Sequence, residues 1–303
     1  MSENMSECFS KYPRIGVFAP SGVVNESRLN AGLTLLKAGH FAVDCLAQAH
    51  AKFGYLAGDD ALRKTALCTA LSGSCDVIWA ARGGYGAVRL LAKLGEGWRP
   101  DPAKMLVGFS DVTVLHALWM QARLPAIHGA NITTLQDWSP AAREELYGLV
   151  RREILESVYP GESVGASAAQ EASGLLMTAN LTVLASLVGT PWMPNLRGMI
   201  LVLEDVGESP YRLDRSFQQL RYSGAFEGVE GFALGHFKDC EPARNELPGE
   251  ELMVELLRAL GKPILKGLQI GHHLESRAIR QGVGARLDGG GNRLVVYNED
   301  DAF

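Results

Sequence analysis

The sequence predicts an α/β fold with a parallel sheet in its first half. Short apolar runs of β type alternate with amphipathic segments of helical length, the pattern of a sheet covered by helices on both faces. Two unusual turns, Arg82-Gly83-Gly84-Tyr85-Gly86 and Gly108-Phe109-Ser110-Asp111, fall at the ends of such runs. Sheets of this kind bind ligands outside the carboxyl ends of their strands.

Arg14–Ala19 reads as the first strand, and Asn25–Lys37 as a helix with Leu29, Leu33 and Leu36 at helical spacing. Phe41–Leu46 is a second strand, followed by a helix near Asp60–Leu71. Asp76–Ala81 is a third strand, leading through the glycine turn into a helix that ends at Leu94. Lys104–Phe109 is a fourth, with a helix over Asp111–Arg123, and Pro125–His128 begins a fifth. A charged helix is expected over Pro140–Ser157. Tyr159–Ser173, rich in Gly, Ser, Ala and Glu with little periodicity, reads as a linker. Beyond it, Gly198–Leu203 and Gly231–Phe237 read as strands, and Tyr211–Arg221 and Glu250–Leu260 as helices. Gly284–Asp288 and Arg293–Tyr297 form a hairpin around Gly289-Gly290-Gly291. The division expected is 1–157, a linker over 158–173, and 174–303, since 303 residues exceed what one core holds comfortably.

With 29 Lys+Arg against 34 Asp+Glu, the net charge of −5 argues against nucleic acid or an anionic membrane as the main partner. The 47% of hydrophobic residues rules out global disorder. Five scattered cysteines without a C-x-x-C pair read as free thiols in a reducing compartment. Met1–Pro13 lacks the apolar core of a secretory leader, and no run is long enough to span a membrane, so a cytoplasmic protein is expected.

Gly84-Tyr85-Gly86-Ala87-Val88-Arg89 matches only part of the dinucleotide fingerprint and follows the third strand rather than the first. The turn reads either as a bend needing positive φ or as backbone brought close to a ligand. Ser110 stands at a sharp strand-to-helix turn, where a hydroxyl is exposed and the next backbone N–H can face a developing oxyanion. A helix N-cap explains it equally well, because Val112 stands where a nucleophile elbow has its second glycine. A serine nucleophile needs a base and an orienting carboxylate. Among seven histidines, spacing does not choose; His128 and His236 at strand ends, and His272 and His273 after a glycine, are placed to line a cleft. Glu204-Asp205 closes an apolar strand, as turn formers or as site acids.

Together, Arg82–Gly86, Gly108–Asp111, Leu203-Glu204-Asp205-Val206-Gly207-Glu208 with Tyr211–Arg215, and Gly271-His272 resemble the murein LD-carboxypeptidase family. These serine peptidases also include the microcin C self-immunity proteins. The resemblance runs over nearly the whole chain, with the motifs in family order. It implies a Rossmann-like or flavodoxin-like N-terminal layer and a C-terminal β-rich α/β domain, with the site between them. It implies Ser110 as nucleophile, His272 as base and Glu204 as its orienting carboxylate, with an oxyanion hole from the N–H groups of Gly84 and Asp111. The triad would assemble when the two domains dock. The implied reaction is release of the terminal D-alanine from a murein tetrapeptide, without metal or organic cofactor, in a homodimer. Arg82 is a candidate receptor for the substrate carboxylate, or a support of the loop from outside; His128 and Asn131 are possible cleft liners. Met177–Leu181 and the residues His273-Leu274-Glu275-Ser276 depart from the family pattern. The rivals are a microcin-immunity-type peptidase acting on a peptide–nucleotide amide, and a non-catalytic Rossmann-like binding module.

Overall fold

The computed structural model describes residues 12–165, 170–242 and 247–298. Strands β1 (Arg14–Phe18), β2 (Ala42–Cys45), β3 (Val77–Ala80), β4 (Met105–Gly108) and β5 (Ala126–His128) are parallel and lie in the order β2-β1-β3-β4-β5. That is the flavodoxin-like order, whose switch point lies between β1 and β3. β3 and β4 are buried along their whole length, which is why they read as apolar runs without alternation. The helices between them are α1 (Glu26–Ala38), α2 (Asp60–Ser72), α3 (Val88–Leu94), α4 (Thr113–Gln121) and α5 (Pro140–Val150). Asn25, Asp59 and Ser139 cap α1, α2 and α5, each accepting a backbone N–H with its side chain.

The second half holds β6 (Glu156–Pro160), β7 (Glu162–Ser163), β8 (Glu171–Asn180), β9 (Met199–Val206), β10 (Gly231–Lys238) and β11 (Ile264–Lys266), then β12 (Ile279–Gln281), β13 (Gly284–Asp288) and β14 (Arg293–Tyr297). Its helices are α6 (Leu181–Ala185), α7 (Pro210–Tyr222) and α8 (Gly249–Arg258). Eight strands form a mixed sheet in the order β6-β14-β13-β8-β9-β10-β11-β7. β12 instead joins the first sheet, pairing antiparallel with β5 so that Ile279 faces His128. One apolar cluster runs through both halves, with Leu115, Leu118 and Trp119 of α4 packed in the same core as Leu201 and Leu203 of β9 and Phe217 of α7. Across this contact the Asn180 N–H donates to Thr113 Oγ1 at 3.1 Å.

Two expectations need correction. The charged helix does not reach Ser157. It stops at Val150, where Arg152 takes a left-handed φ of +59° and the Glu153 N–H returns to the Gly148 carbonyl, a helix-terminating bond. Ser157 and Tyr159 then alternate buried with exposed neighbours in β6. The stretch Tyr159–Ser173 is not a plain connection, because β6, β7 and β8 occupy much of it; residues 166–169 lie outside the described ones. The cysteines described, Cys45, Cys68, Cys75 and Cys240, are free thiols. No helix among the described residues is long and apolar enough to cross a membrane.

Candidate active site

Ser110 follows β4 after one residue, Phe109, and starts a short 3-10 turn, Ser110–Val112, that runs into α4. Its φ of +67° is left-handed, a conformation costing a non-glycine residue about 1–2 kcal/mol. Surrounding contacts hold it there. Asn131, at the end of β5, clamps the backbone of Phe109: its Oδ1 accepts the Phe109 N–H at 3.3 Å and its Nδ2 donates to the Phe109 carbonyl at 3.5 Å. Gly108 makes room for this clamp, since a Cβ there would meet Asn131 Oδ1 at 2.9 Å.

The glycine turn after β3 packs against this serine. A Cβ on Gly83 would lie 3.0 Å from Ser110 Cβ and 3.2 Å from its Oγ, so a side chain there would crowd the serine. The Gly83 carbonyl accepts the Gly22 N–H at 3.1 Å. A trans peptide then aims the Gly84 N–H the opposite way, and no acceptor among the described residues takes it. The turn is held from behind by Arg63, whose buried guanidinium donates to the carbonyls of Pro20 at 2.5 Å and Gly86 at 2.8 Å and pairs with Asp60. Asp111 turns its side chain inward and accepts the Ala87 N–H at 2.8 Å, joining the serine turn to the glycine turn; burial pushes its carboxyl pKa up. The Asp111 N–H, in the first turn of a helical segment, belongs to the donors that a helix start leaves unpaired.

The two acids closing β9 point to opposite sides, as strand geometry requires. Glu204 is fully buried, and its Oε2 lies 2.6 Å from His272 Nδ1. Asp205 accepts from Asn180 Nδ2 and from the Thr182 N–H and hydroxyl at the start of α6. Burial, then the neighbouring Glu204, pushes Asp205 up to about 6. Glu208 pairs with Arg212 on the surface side. Burial opposes the charged form of His272, but attraction and hydrogen bonding to Glu204, with help from Asp205, outweigh it, and its pKa is raised. The ring also rests on Phe109, with centroids 4.5 Å apart, so the residue before the serine touches the histidine.

Ser110 and His272 line one cavity of about 450 Å³ together with Gly83, Gly84, Asn131 and Arg82. The structure thus brings Ser110, His272 and Gly84 to one concavity, with Glu204 and Asp111 immediately behind it. No direct hydrogen bond between Ser110 and His272 occurs among the described residues; such bonds are often loose without substrate. His128 does not line the cleft: it is buried behind Phe109 beside His116, and burial keeps both pKa values low, His116 down to about 3. His236 stacks on His273 instead. The clamping role of Asn131 and the Asp111 and Arg63 ties had no signal in the sequence, since each depends on a contact between distant turns.

A half-buried hydroxyl lining a cavity beside backbone donors, with an imidazole oriented by a buried carboxylate, has the parts for acyl transfer. Comparison with known proteins identifies the family. Residues 15–129 match the LD-carboxypeptidase N-terminal domain and residues 173–287 the LD-carboxypeptidase C-terminal domain. The murein tetrapeptide carboxypeptidase of Pseudomonas aeruginosa is 34% identical, the match spanning 93% of this chain and 94% of that one. The chain belongs to the LD-carboxypeptidase family. Among solved structures, the muramoyltetrapeptide carboxypeptidase of Oxalobacter formigenes superposes with a TM-score of 0.79 at 26% identity, covering 93% of this chain and 98% of that one. The microcin C7 self-immunity protein MccF, in complex with aspartyl sulfamoyl adenosine, shares the fold at TM-score 0.82 and 20% identity, covering 95% and 98%.

Proposed function

We propose that this protein is a serine L,D-carboxypeptidase that releases the terminal D-alanine of a murein tetrapeptide during peptidoglycan turnover. The observation that carries the reading is the buried Glu204–His272 pair facing the same cavity as Ser110 and the Gly84 turn. With its Nδ1–H given to Glu204, His272 presents Nε2 as the basic nitrogen. His272 takes the hydroxyl proton of Ser110 as Oγ bonds to the carbonyl carbon between the L-centre of diaminopimelate and D-alanine. The carbonyl oxygen becomes an oxyanion facing the Gly84 and Asp111 N–H groups, a contribution of about 2.7–4 kcal/mol per donor in comparable sites. His272 then protonates the departing nitrogen, the C–N bond breaks and D-alanine leaves. Water, deprotonated by His272, attacks the resulting ester and returns Ser110 to its hydroxyl form.

The test is mass spectrometry of the tetrapeptide L-Ala-γ-D-Glu-meso-diaminopimelate-D-Ala incubated with wild type and Ser110→Ala. Release of D-alanine by wild type alone is expected; no release by wild type, or equal release by both, overturns the proposal. One observation favours a second reading, cleavage of a peptide–nucleotide amide. Tyr55 and Tyr85, each more than half exposed, stand 5.9 Å apart beside Gly84, and aromatic faces of this kind can stack on a base. An aminoacyl sulfamoyl adenosine in the same assay decides between them.

A further inference from the structure

We propose that Arg82 is the receptor for the free carboxylate of the residue that is released, the group that makes the reaction a carboxypeptidase reaction. The inference rests on the peptidase reading of the Ser110 cavity and adds the residue that selects a chain end. Arg82 lines that cavity directly before Gly83 and Gly84. Its guanidinium is seated over two glycines: a Cβ on Gly22 would lie 3.6 Å from Arg82 Cζ, and one on Gly84 would lie 3.9 Å from Arg82 Nε. One terminal nitrogen donates to the Val23 carbonyl. That bond fixes the head and leaves it without a carboxylate partner among the described residues.

Two of the other charges nearby are committed elsewhere. Arg28, the second guanidinium on the cavity wall, is paired with Asp137 and donates to the Thr133 carbonyl. Glu26, in the groove on the far side of Arg82, is held by His50 at 2.8 Å. Among the described residues no carboxylate side chain lines the Ser110 cavity, so a substrate carboxylate entering it meets an uncompensated cation.

The spacing suits a terminal residue. In the substrate, the attacked carbonyl carbon and the terminal carboxylate carbon are three bonds apart, about 4.3 Å of contour at most. In the protein, the two glycines adjoin both groups: a Cβ on Gly83 would lie 3.2 Å from Ser110 Oγ, and one on Gly84 3.9 Å from Arg82 Nε. A carbonyl positioned over Ser110, with its oxygen toward the Gly84 N–H, therefore places the carboxylate of the next residue within reach of the guanidinium fork. An internal peptide bond presents a neutral amide there and leaves the cation without a partner, so Arg82 selects for chain ends.

The experiment compares the murein tetrapeptide as free acid with its C-terminal carboxamide, using wild type, Arg82→Gln and Arg82→Lys. Wild type is expected to prefer the free acid. Arg82→Gln is expected to lose about 10- to 100-fold in kcat/KM on the free acid while the carboxamide changes little, so that the preference collapses. Arg82→Lys, which keeps the charge without the fork, is expected to retain part of it. An equal fall on both substrates, leaving the preference intact, assigns Arg82 to loop support and overturns the inference while the peptidase reading stands. A wild type inactive on both substrates overturns the peptidase reading itself and this inference with it.

Discussion

Gly271 and Glu204 occupy each other's space: a Cβ on Gly271 would lie 2.7 Å from Glu204 Oε2 and 2.9 Å from Glu204 Cβ. The backbone of Gly271, at φ +112°, is also in a region that other residues avoid. The glycine before His272 lets a buried carboxylate reach the imidazole edge-on.

Gly271→Ala forces either the loop or Glu204 to move. The expected result is a stability loss of about 1–3 kcal/mol, together with a fall in turnover larger than that loss explains. Thermal unfolding and D-alanine release measured on the same preparation check it. A variant of wild-type stability and rate would show that the loop relaxes freely.

The raised pKa of His272 sets a pH dependence. The proposed mechanism needs the neutral imidazole, so kcat/KM is expected to rise with pH through a value above the usual 6.5. Glu204→Gln removes the largest attraction and leaves burial, which lowers the pKa, opposed by Asp205, so the acid limb is expected to move below that value. Turnover is expected to fall by about 10⁴, as when a triad carboxylate becomes an amide. The stability linked to this pair has the opposite sense: it is fully present below the unfolded-state pKa and is lost as pH rises through the folded one. A pH–rate profile that stays in place after the substitution removes Glu204 from the role.

Asp111 joins the two turns that carry the N–H donors, through the Ala87 N–H. Asp111→Asn keeps an oxygen to accept that bond and is expected to retain most activity. Asp111→Ala leaves the donor unpaired, and a loss of about 10²-fold in kcat with a destabilisation of about 1–3 kcal/mol is expected. Steady-state kinetics and urea unfolding of the two variants test this; equal activity in both would mean that the turns hold together without the tie.

The first sheet was legible because its strands are short apolar runs set between segments of helical period, and Asn25, Asp59 and Ser139 cap three of its helices. β8 was not legible, because its last five residues are buried on both faces and carry no alternation, while its start is small and polar. β12 was missed for another reason: three residues give no period, and only the edge of β5 makes them a strand. Within the site, Ser110 stood out by its turn, but spacing alone did not choose among the histidines. The resemblance to a family selected His272, and the contacts that pose it, Gly271 and Phe109, come from two segments more than 160 residues apart.

β12 gives the molecule a built-in delay. The strand beside the serine-bearing β4 keeps its outer edge open until residues 279–281 arrive to pair with it, and His272 lies only a few residues earlier. A chain emerging from the ribosome at about 5–20 residues per second has Ser110 well before it has His272, the base of the proposed mechanism. The proposed catalytic centre is therefore completed in the same late event that closes the first sheet, and a product of premature termination carries Ser110 without His272.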